Sequence, residues 1–216
     1  MRKKIQFVNK LTIGLAILVA STAFQVSAME RFTEAEIQAS PYLQSVLKRK
    51  GETYDTSEFR KDGPYRIALA AQGTSNSWSA LFDEHANWYA EQLGSGVIEE
   101  LLYADAQASA DKQVPQVEDL LAQEPDALIL VPMGAAALAA PVERAMAQGV
   151  PVILCASAVE TDNFVTEVGT NLYASGAGLA EYLAKRLNGK GKVLMMTGIP
   201  GVSTSDIMEA GGKATF

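Results

Sequence analysis

The chain has 216 residues, of which 48% are hydrophobic and 20% charged, the composition of a folded soluble protein. Residues 1–28 contain four of its 18 basic residues and none of its 25 acidic residues, which leaves a net charge of −11 on the remainder. This acidity argues against nucleic acid as a partner, and one cysteine with one histidine excludes an intrachain disulfide and a conventional zinc site.

Residues 1–28 have the pattern of a secretory signal peptide. A basic start (RKK) precedes the apolar run Leu11–Ala23, and Val26–Ala28 places small residues before the cleavage point. The apolar run has 13 residues, fewer than the roughly 20 that a helix needs to cross a bilayer. We therefore predict cleavage after Ala28 and export to the periplasm, with an uncleaved membrane anchor as the alternative.

Residues 29–64 form an N-terminal extension before the regular part of the sequence. A short helix is predicted over Glu34–Lys48, and a polar stretch with breakers at Gly51, Gly63 and Pro64 follows it. The pattern assigns no function to this extension.

Short apolar runs alternate with amphipathic segments from Tyr65 onward. The runs are too short for helices and are bounded by turn residues, which predicts buried strands at Tyr65–Ala71, Val97–Tyr103, Ala127–Val131, Val150–Cys155, Val165–Val168 and Lys192–Thr197. Apolar residues at helical spacing predict helices over Ser79–Leu93, Asp111–Gln123 and Ser175–Leu187, with another through Leu138 and Met146. Strands that are apolar throughout, separated by such helices, predict an α/β fold with a parallel sheet covered on both faces.

In a parallel sheet of this kind, ligands bind where the carboxyl ends of the strands lead into helices. The loops at those ends offer mainly Ser, Thr, Asn and Gly. A phosphate loop is absent, and Gly176-x-Gly178-x-x-Glu181 lacks the third glycine of a dinucleotide fingerprint. The sequence therefore predicts no cofactor.

Nucleophilic catalysis also lacks a supporting pattern. Gly201–Ser205 has no closing glycine for a nucleophile elbow, and His85 precedes it by over a hundred residues. Cys155 ends an apolar strand and is interpreted as a small buried hydrophobe. We predict a binding protein without catalytic or metal-ligating residues, and not an enzyme.

Five short motifs in order resemble the ribose-binding-protein-like family of periplasmic sugar-binding proteins, which serve ABC importers. They are Asp105–Gln107, Gln116–Leu120, Gly149–Val152, Gly169–Asn171 and Gly198–Gly201, and the likeness covers Tyr65–Phe216. The resemblance implies the type I periplasmic-binding-protein fold, in which two Rossmann-like lobes joined by three crossovers close on a sugar. It implies a first lobe over residues 65–157, a crossover over 158–163 and an incomplete second lobe over 164–216. On that alignment Phe216 falls within the second lobe's second helix, and we expect these 216 residues alone neither to close on a ligand nor to bind it with normal affinity.

The resemblance also implies a set of ligand-binding positions. They are Asn76, Ser77 and Trp78 after the first strand, Ala156 and Ser157 after the fourth, and Thr170 and Asn171 at the crossover. An indole face stacks on the C–H face of a pyranose, and an amide both donates to and accepts from hydroxyls. The alternatives are packing of Trp78 on the first helix, and a turn and helix cap at Thr170 and Asn171.

Two positions depart from the family pattern. The family often has Asp-Arg where this chain has Ala156 and Ser157, and its ligand-binding Arg on the later helix corresponds to Met208. These changes remove the bidentate hydrogen bonds that grip pairs of hydroxyls. They disfavour a standard free aldopentose or aldohexose; a less polar or substituted ligand and reliance on the rest of the second lobe are both consistent with them.

The resemblance implies an exported solute-binding component of an ABC importer for a sugar or related polyol. Such a component closes on its ligand and then docks on the permease. A periplasmic sensor subunit with the same fold is the main alternative. A secreted α/β enzyme is less favoured, because the loops lack a nucleophile or an acid pair.

Overall fold

The computed structural model describes residues 55–216. The predicted signal peptide, the predicted helix over Glu34–Lys48 and most of the N-terminal extension lie outside these residues. Within the described range the chain forms five strands and five α-helices. None of these helices is long and apolar enough to cross a membrane.

After a 3₁₀ turn at Ser57–Phe59, strands and helices alternate along the chain as far as the fourth strand, which is followed by the fifth strand and then by two helices. Strands β1 to β5 cover Tyr65–Ala71, Ile98–Asp105, Ala127–Leu130, Val152–Cys155 and Thr166–Val168. Helices α1 to α5 cover Ser77–Leu93, Ala110–Leu121, Ala139–Ala147, Leu172–Arg186 and Ser203–Thr215.

The five strands form one parallel sheet in the order β2-β1-β3-β4-β5. β1 lies between its two partners, with Ala70 beside Ala104 of β2 and Leu130 of β3. This order brings the carboxyl ends of β1, β3, β4 and β5 together at one edge. A helix follows β1, β2, β3 and β5, whereas β4 leads directly to β5. The predicted α/β fold is confirmed.

The main core lies between one face of the sheet and helices α2 and α3. Leu128, Leu130 and Leu154 of the sheet are fully buried there with Val117 of α2 and Val142 of α3. Burial alternates along β3 and β4 because successive side chains of a strand point to opposite faces. Helix α1 lies against the other face, where the Tyr103 hydroxyl donates a hydrogen bond to Asp83 (2.7 Å).

A fully buried glutamine ties α2 to the carboxyl end of β3. The Gln113 amide nitrogen donates to the Val131 carbonyl (2.9 Å), and its amide oxygen accepts from the Met133 N–H (2.8 Å). A buried amide of this kind needs both partners, because an unpaired one costs its full desolvation energy. The bond fixes Met133 at the functional edge of the sheet.

The chain leaves the first sheet later than the sequence indicates. The expected crossover at residues 158–163 is followed by β5, which pairs with β4 through Ile153–Thr166 and Cys155–Val168. The chain is therefore still part of the first sheet at Val168, and only Gly169–Asn171 separates this sheet from α4. The three-residue strand conceals this pairing in the sequence, because so short a run gives no indication of its neighbour.

The predicted strand at Lys192–Thr197 is wrong. No strand is assigned there, and the side chains of Leu194 and Met196 are 89% and 90% exposed. An isolated strand is not stable without a partner to satisfy its backbone groups, and no described strand runs beside this segment.

Helices α4 and α5 pack together through two glycines. A Cβ atom added at Gly176 would lie 1.9 Å from the Met208 carbonyl oxygen, and one at Gly211 would lie 2.1 Å from that of Tyr173. Only glycine permits so close an approach of the two backbones. The pair follows the first sheet as one compact unit.

Candidate ligand-binding cleft

An open cleft of about 710 Å³ lies at the carboxyl ends of the strands. Loops after all five strands, with the starts of α1 and α4, form one side, and residues 199–205 before and within the first turn of α5 form the other. Its volume is in the range of small-molecule sites. Five of the seven predicted ligand-binding residues line it: Asn76, Trp78, Ala156, Ser157 and Thr170.

Asn76 combines a structural role with a position on the cleft. Its side-chain oxygen accepts a hydrogen bond from the Ser79 N–H (3.0 Å) and so caps α1. Its amide nitrogen makes no hydrogen bond within the described residues, which leaves two donors for a ligand.

Trp78 packs on α1 and also faces the cleft. Its ring stacks on Phe82, one helical turn later, with 5.5 Å between centroids and 21° between planes. Since the side chain remains 48% exposed, this packing leaves indole surface for contact with a ligand. The two interpretations of Trp78 are therefore compatible.

Ser77 and Asn171 do not line the cleft. Ser77 is the exposed first residue of α1, and the Asn171 side chain accepts from the Ala174 N–H (2.9 Å) as the cap of α4. Thr170, the residue before this cap, does line the cleft. The turn-and-cap interpretation thus describes Asn171, while Thr170 remains a candidate contact.

The end of β4 has an unusual backbone conformation. Ala156 has φ = 63°, in the left-handed region that side-chain-bearing residues seldom adopt. Ser157 is only 2% exposed, and its hydroxyl forms a hydrogen bond with the Thr204 hydroxyl (2.6 Å). The Ser157 hydroxyl is therefore engaged with the opposite side of the cleft.

Residues 201–204 are held on the sheet edge by three direct contacts. The Gly201 carbonyl accepts from the Ala135 N–H (3.1 Å), and the Ser203 hydroxyl accepts from the Ala158 N–H (2.7 Å). Val202 is buried beside Ala106 and Met133. These contacts join the turn before α5 to the loops after β3 and β4.

Several cleft residues were not predicted from the sequence. Gln72, Phe82, Met133 and Thr204 line it as well. Gln72, Met133 and Thr204 fall in the strand-end loops where ligands are expected, but nothing in those loops distinguishes them from their neighbours. Phe82 belongs to the apolar stripe of α1, and that pattern alone predicts only packing.

The cleft has no ionised nucleophile or metal-binding cluster among the described residues. Burial raises the pKa of the Cys155 thiol at the end of β4, so the thiol is neutral at neutral pH. Groups of three or more His, Cys, Asp or Glu able to hold a metal do not occur within residues 55–216. The arrangement offers hydrogen bonds and apolar contact.

Known proteins share both sequence and fold with this chain. The ribose import binding protein of Bacillus subtilis (strain 168) is 34% identical over 141 residues, and the xylitol-binding protein of Mycolicibacterium smegmatis is 34% identical over 99 residues. These alignments cover 65% and 46% of this chain but only 45% and 28% of the two relatives. The chain thus matches less than half the length of either protein.

Solved structures with the same fold include two solute-binding proteins. The fructose-binding periplasmic domain of a hybrid two-component system aligns with a TM-score of 0.63 and 26% identity, over 70% of this chain and 49% of that one. A Caulobacter myo-inositol binding protein aligns with a TM-score of 0.64 and 22% identity, over 72% of this chain and 51% of that one. At 22% identity the second comparison supports the fold alone.

The model of the periplasmic binding protein domain matches residues 67–216. This range takes in all five strands, except the first two residues of β1, together with all five α-helices and every residue that lines the cleft. The chain belongs to the periplasmic binding protein family.

Proposed function

We propose that the chain is the exported sugar- or polyol-binding component of an ABC importer, which holds its ligand between two lobes. The observation that carries this proposal is the cleft at the carboxyl ends of parallel strands, lined by an exposed indole and uncharged hydrogen-bonding groups. Membership of a solute-binding family and relatives named for ribose and xylitol support it.

The chemistry of the lining fits a polyhydroxylated ligand. Trp78 presents ring surface for stacking on C–H groups, and Gln72 offers an amide that donates to and accepts from hydroxyls. The Asn76 amide nitrogen adds two donors. Thr170 adds a hydroxyl from the segment that links the sheet to α4. A ligand in contact with both sides of the cleft stabilises the closed arrangement that a permease recognises.

The two tryptophans provide a direct test with a matched control. Trp78 and Trp88 both lie on α1 and are 48% and 50% exposed, but only Trp78 lines the cleft. We expect saturating ribose, xylitol or another neutral polyol to change the fluorescence of the wild-type chain and of Trp88→Phe, but not of Trp78→Phe. Fluorescence titration up to millimolar ligand detects weak binding, and saturation-transfer NMR provides a second, independent measurement of it. Absence of binding by every pentose, hexose and alditol in such a panel would overturn the proposal.

A sensor subunit is the second candidate, favoured by one comparison. The fructose-binding neighbour is a domain of a hybrid two-component system, so this fold also serves signalling. Growth separates the two functions. Deletion of an importer component slows growth on the bound sugar at low concentration, whereas deletion of a sensor subunit abolishes the transcriptional response and leaves uptake by the induced system intact.

Export is part of the proposal and rests on residues 1–28. We expect the mature chain in the periplasmic fraction, with an N-terminus at or close to Met29. Recovery of the chain in the membrane fraction with residues 1–28 attached would favour an anchor.

A further inference from the structure

The cleft lining contains no charged side chain among the described residues. No Asp, Glu, Lys, Arg or His contributes to it, and its polar side chains are hydroxyls and amides such as Gln72, Ser75, Asn76 and Thr170. Asp105 ends the neighbouring strand β2, but it does not line the cleft, and its carboxylate accepts a hydrogen bond from the Gln107 N–H (2.6 Å). A charged ligand would find no counter-charge on these surfaces.

Three of the uncharged polar groups of the cleft are already paired within the protein. The Ser157 and Thr204 hydroxyls bond to each other (2.6 Å), and the Asn76 oxygen is used by the cap of α1. The groups left for a ligand are the side chains of Gln72, Ser75, Thr170 and Ser205 and the Asn76 amide nitrogen. Each ligand hydroxyl that loses water without gaining a partner costs free energy.

Apolar side chains make up much of the remaining lining. Trp78 and Phe82 form a stacked aromatic wall, and Met133, Ile199 and Val202 come from the loops after β3 and before α5. Val202 is 7% exposed and Met133 is 8% exposed, so these two form a fixed floor beside the end of β3. Such a surface is matched by methyl and methylene groups of a ligand.

From these three observations we propose that the cleft selects an uncharged sugar or polyol with an apolar edge, 6-deoxy sugars being the simplest class, and rejects sugar acids, amino sugars and sugar phosphates. This inference rests on the proposed function and narrows it. A buried ionised group costs several times more to desolvate than a hydroxyl, so charge is discriminated more strongly than a single hydroxyl.

Matched sugars that differ at one carbon test the inference. D-Fucose, D-galactose and D-galacturonate carry a methyl, a hydroxymethyl and a carboxylate on the same ring, and D-galactosamine adds an amine; L-rhamnose and L-mannose form a second pair. We expect the 6-deoxy sugar of a pair to bind about tenfold more tightly than its hexose, and the charged sugars about 100-fold more weakly than their neutral parent, or not at all.

The outcomes separate this inference from the proposed function. Binding of galacturonate or galactosamine as tight as that of galactose overturns the exclusion of charge. Equal affinity for the deoxy sugar and its hexose in both pairs overturns the proposed preference for an apolar edge, while the proposed function stands. If ribose or xylitol binds and neither pair does, the preference for an apolar edge is overturned and the proposed function stands. If no pentose, hexose or alditol of the panel binds, the proposed function itself fails.

A substitution at Ala156 provides a second test on the protein side. This residue lines the cleft with φ = 63°, a conformation that Asp and Asn adopt more readily than other side chains. Ala156→Asp introduces a carboxylate, and Ala156→Asn is the uncharged control of equal size. We expect Ala156→Asp alone to gain at least about tenfold in galactosamine affinity. An equal gain in galactosamine affinity in both variants would contradict recognition by charge. If one variant fails to fold, the sugars measured on the wild-type chain still test the inference.

Discussion

The hydroxyls of Ser157 and Thr204 lie 2.6 Å apart and connect the end of β4 to the first turn of α5. Ser157 is buried, and the Thr204 hydroxyl also lies 3.4 Å from the Ala156 carbonyl. The bond therefore joins the sheet to the helix pair that follows it, directly beside the cleft. Its partners are a strand-end loop and a helix start that are 47 residues apart in the sequence.

Removal of the Thr204 hydroxyl tests this connection. We expect Thr204→Val to lower the free energy of unfolding by about 1–3 kcal/mol, because the buried Ser157 hydroxyl then lacks its partner. Urea denaturation measures the change. Thr215→Val is the matched control, since that hydroxyl bonds only to the Gly211 carbonyl of its own helix (3.0 Å). An equal loss of unfolding free energy in both variants would show that the Ser157–Thr204 bond contributes no more to stability than the bond within α5.

Gln113 is expected to be the most sensitive polar residue of the core. Gln113→Met preserves volume but leaves the Met133 N–H and the Val131 carbonyl without their buried partner, so we expect a loss of about 2–4 kcal/mol in unfolding free energy. Gln123→Met, an exposed site whose amide donates to the Asp119 carbonyl, should change stability by less than about 0.5 kcal/mol. Comparable losses at the two sites would refute the role of Gln113.

The contact of α4 with α5 depends on the absence of a side chain at Gly211. Gly211→Ala would place a methyl 2.1 Å from the Tyr173 carbonyl oxygen, so the helices must move apart, and we expect a loss of about 1–3 kcal/mol. Gly96→Ala is the control, because nothing lies within 4 Å of the added Cβ. Thermal unfolding followed by circular dichroism measures both. A Gly211→Ala variant as stable as the control would mean that the helices are not packed this closely.

Asp83 makes the stability depend on pH. Burial and, more weakly, Asp105 raise its pKa, while the hydrogen bond from Tyr103 lowers it. Because the folded-state pKa lies above the unfolded one, the stabilising contribution of the protonated form is present below the unfolded pKa and is lost as pH rises through the folded pKa. Asp83→Asn stays neutral, so we expect its stability relative to wild type to increase between about pH 3 and pH 7.

Tyr103→Phe serves as the companion variant for this pH dependence. It removes the bond that favours ionised Asp83, so we expect the loss of stability with rising pH to become larger than in the wild type. In an Asp83→Asn background the same substitution should have no pH-dependent effect. Urea titrations across this pH range test both statements, and an unchanged profile in Tyr103→Phe would contradict them.

The sheet could be predicted from the sequence and parts of the cleft could not. Tyr65–Ala71 has the predicted bounds, because burial on both faces leaves a continuous apolar pattern bounded by turns. The other four observed strands lie within two residues of their predicted bounds. The strand predicted at Lys192–Thr197 has the same pattern but no partner within the described residues. The hydrophobic pattern of a segment indicates that it can form a strand. Whether the strand forms also depends on a neighbouring strand with which it can pair.

The sequence also does not predict which side chains line the cleft or which hydrogen bonds they make. A resemblance placed Ser77 and Trp78 together, but adjacent residues on a helix point about 100° apart, and only Trp78 lines the cleft. Contacts such as Ser157–Thr204 join segments distant in sequence, and neither residue has a local signal for the other. These features depend on how α5 lies on the sheet, which is tertiary information.

The three-residue link Gly169–Asn171 is the single covalent connection between the sheet and the α4–α5 pair within the described residues. Any rotation of the pair relative to the sheet must turn about these residues and break the noncovalent contacts of Gly201, Ser203 and Thr204. Thr170 lies both in this pivot and on the wall of the cleft. A ligand that contacts Thr170 therefore contacts the link about which the α4–α5 pair would rotate. Binding in the cleft and rotation of the pair are thus coupled through this side chain.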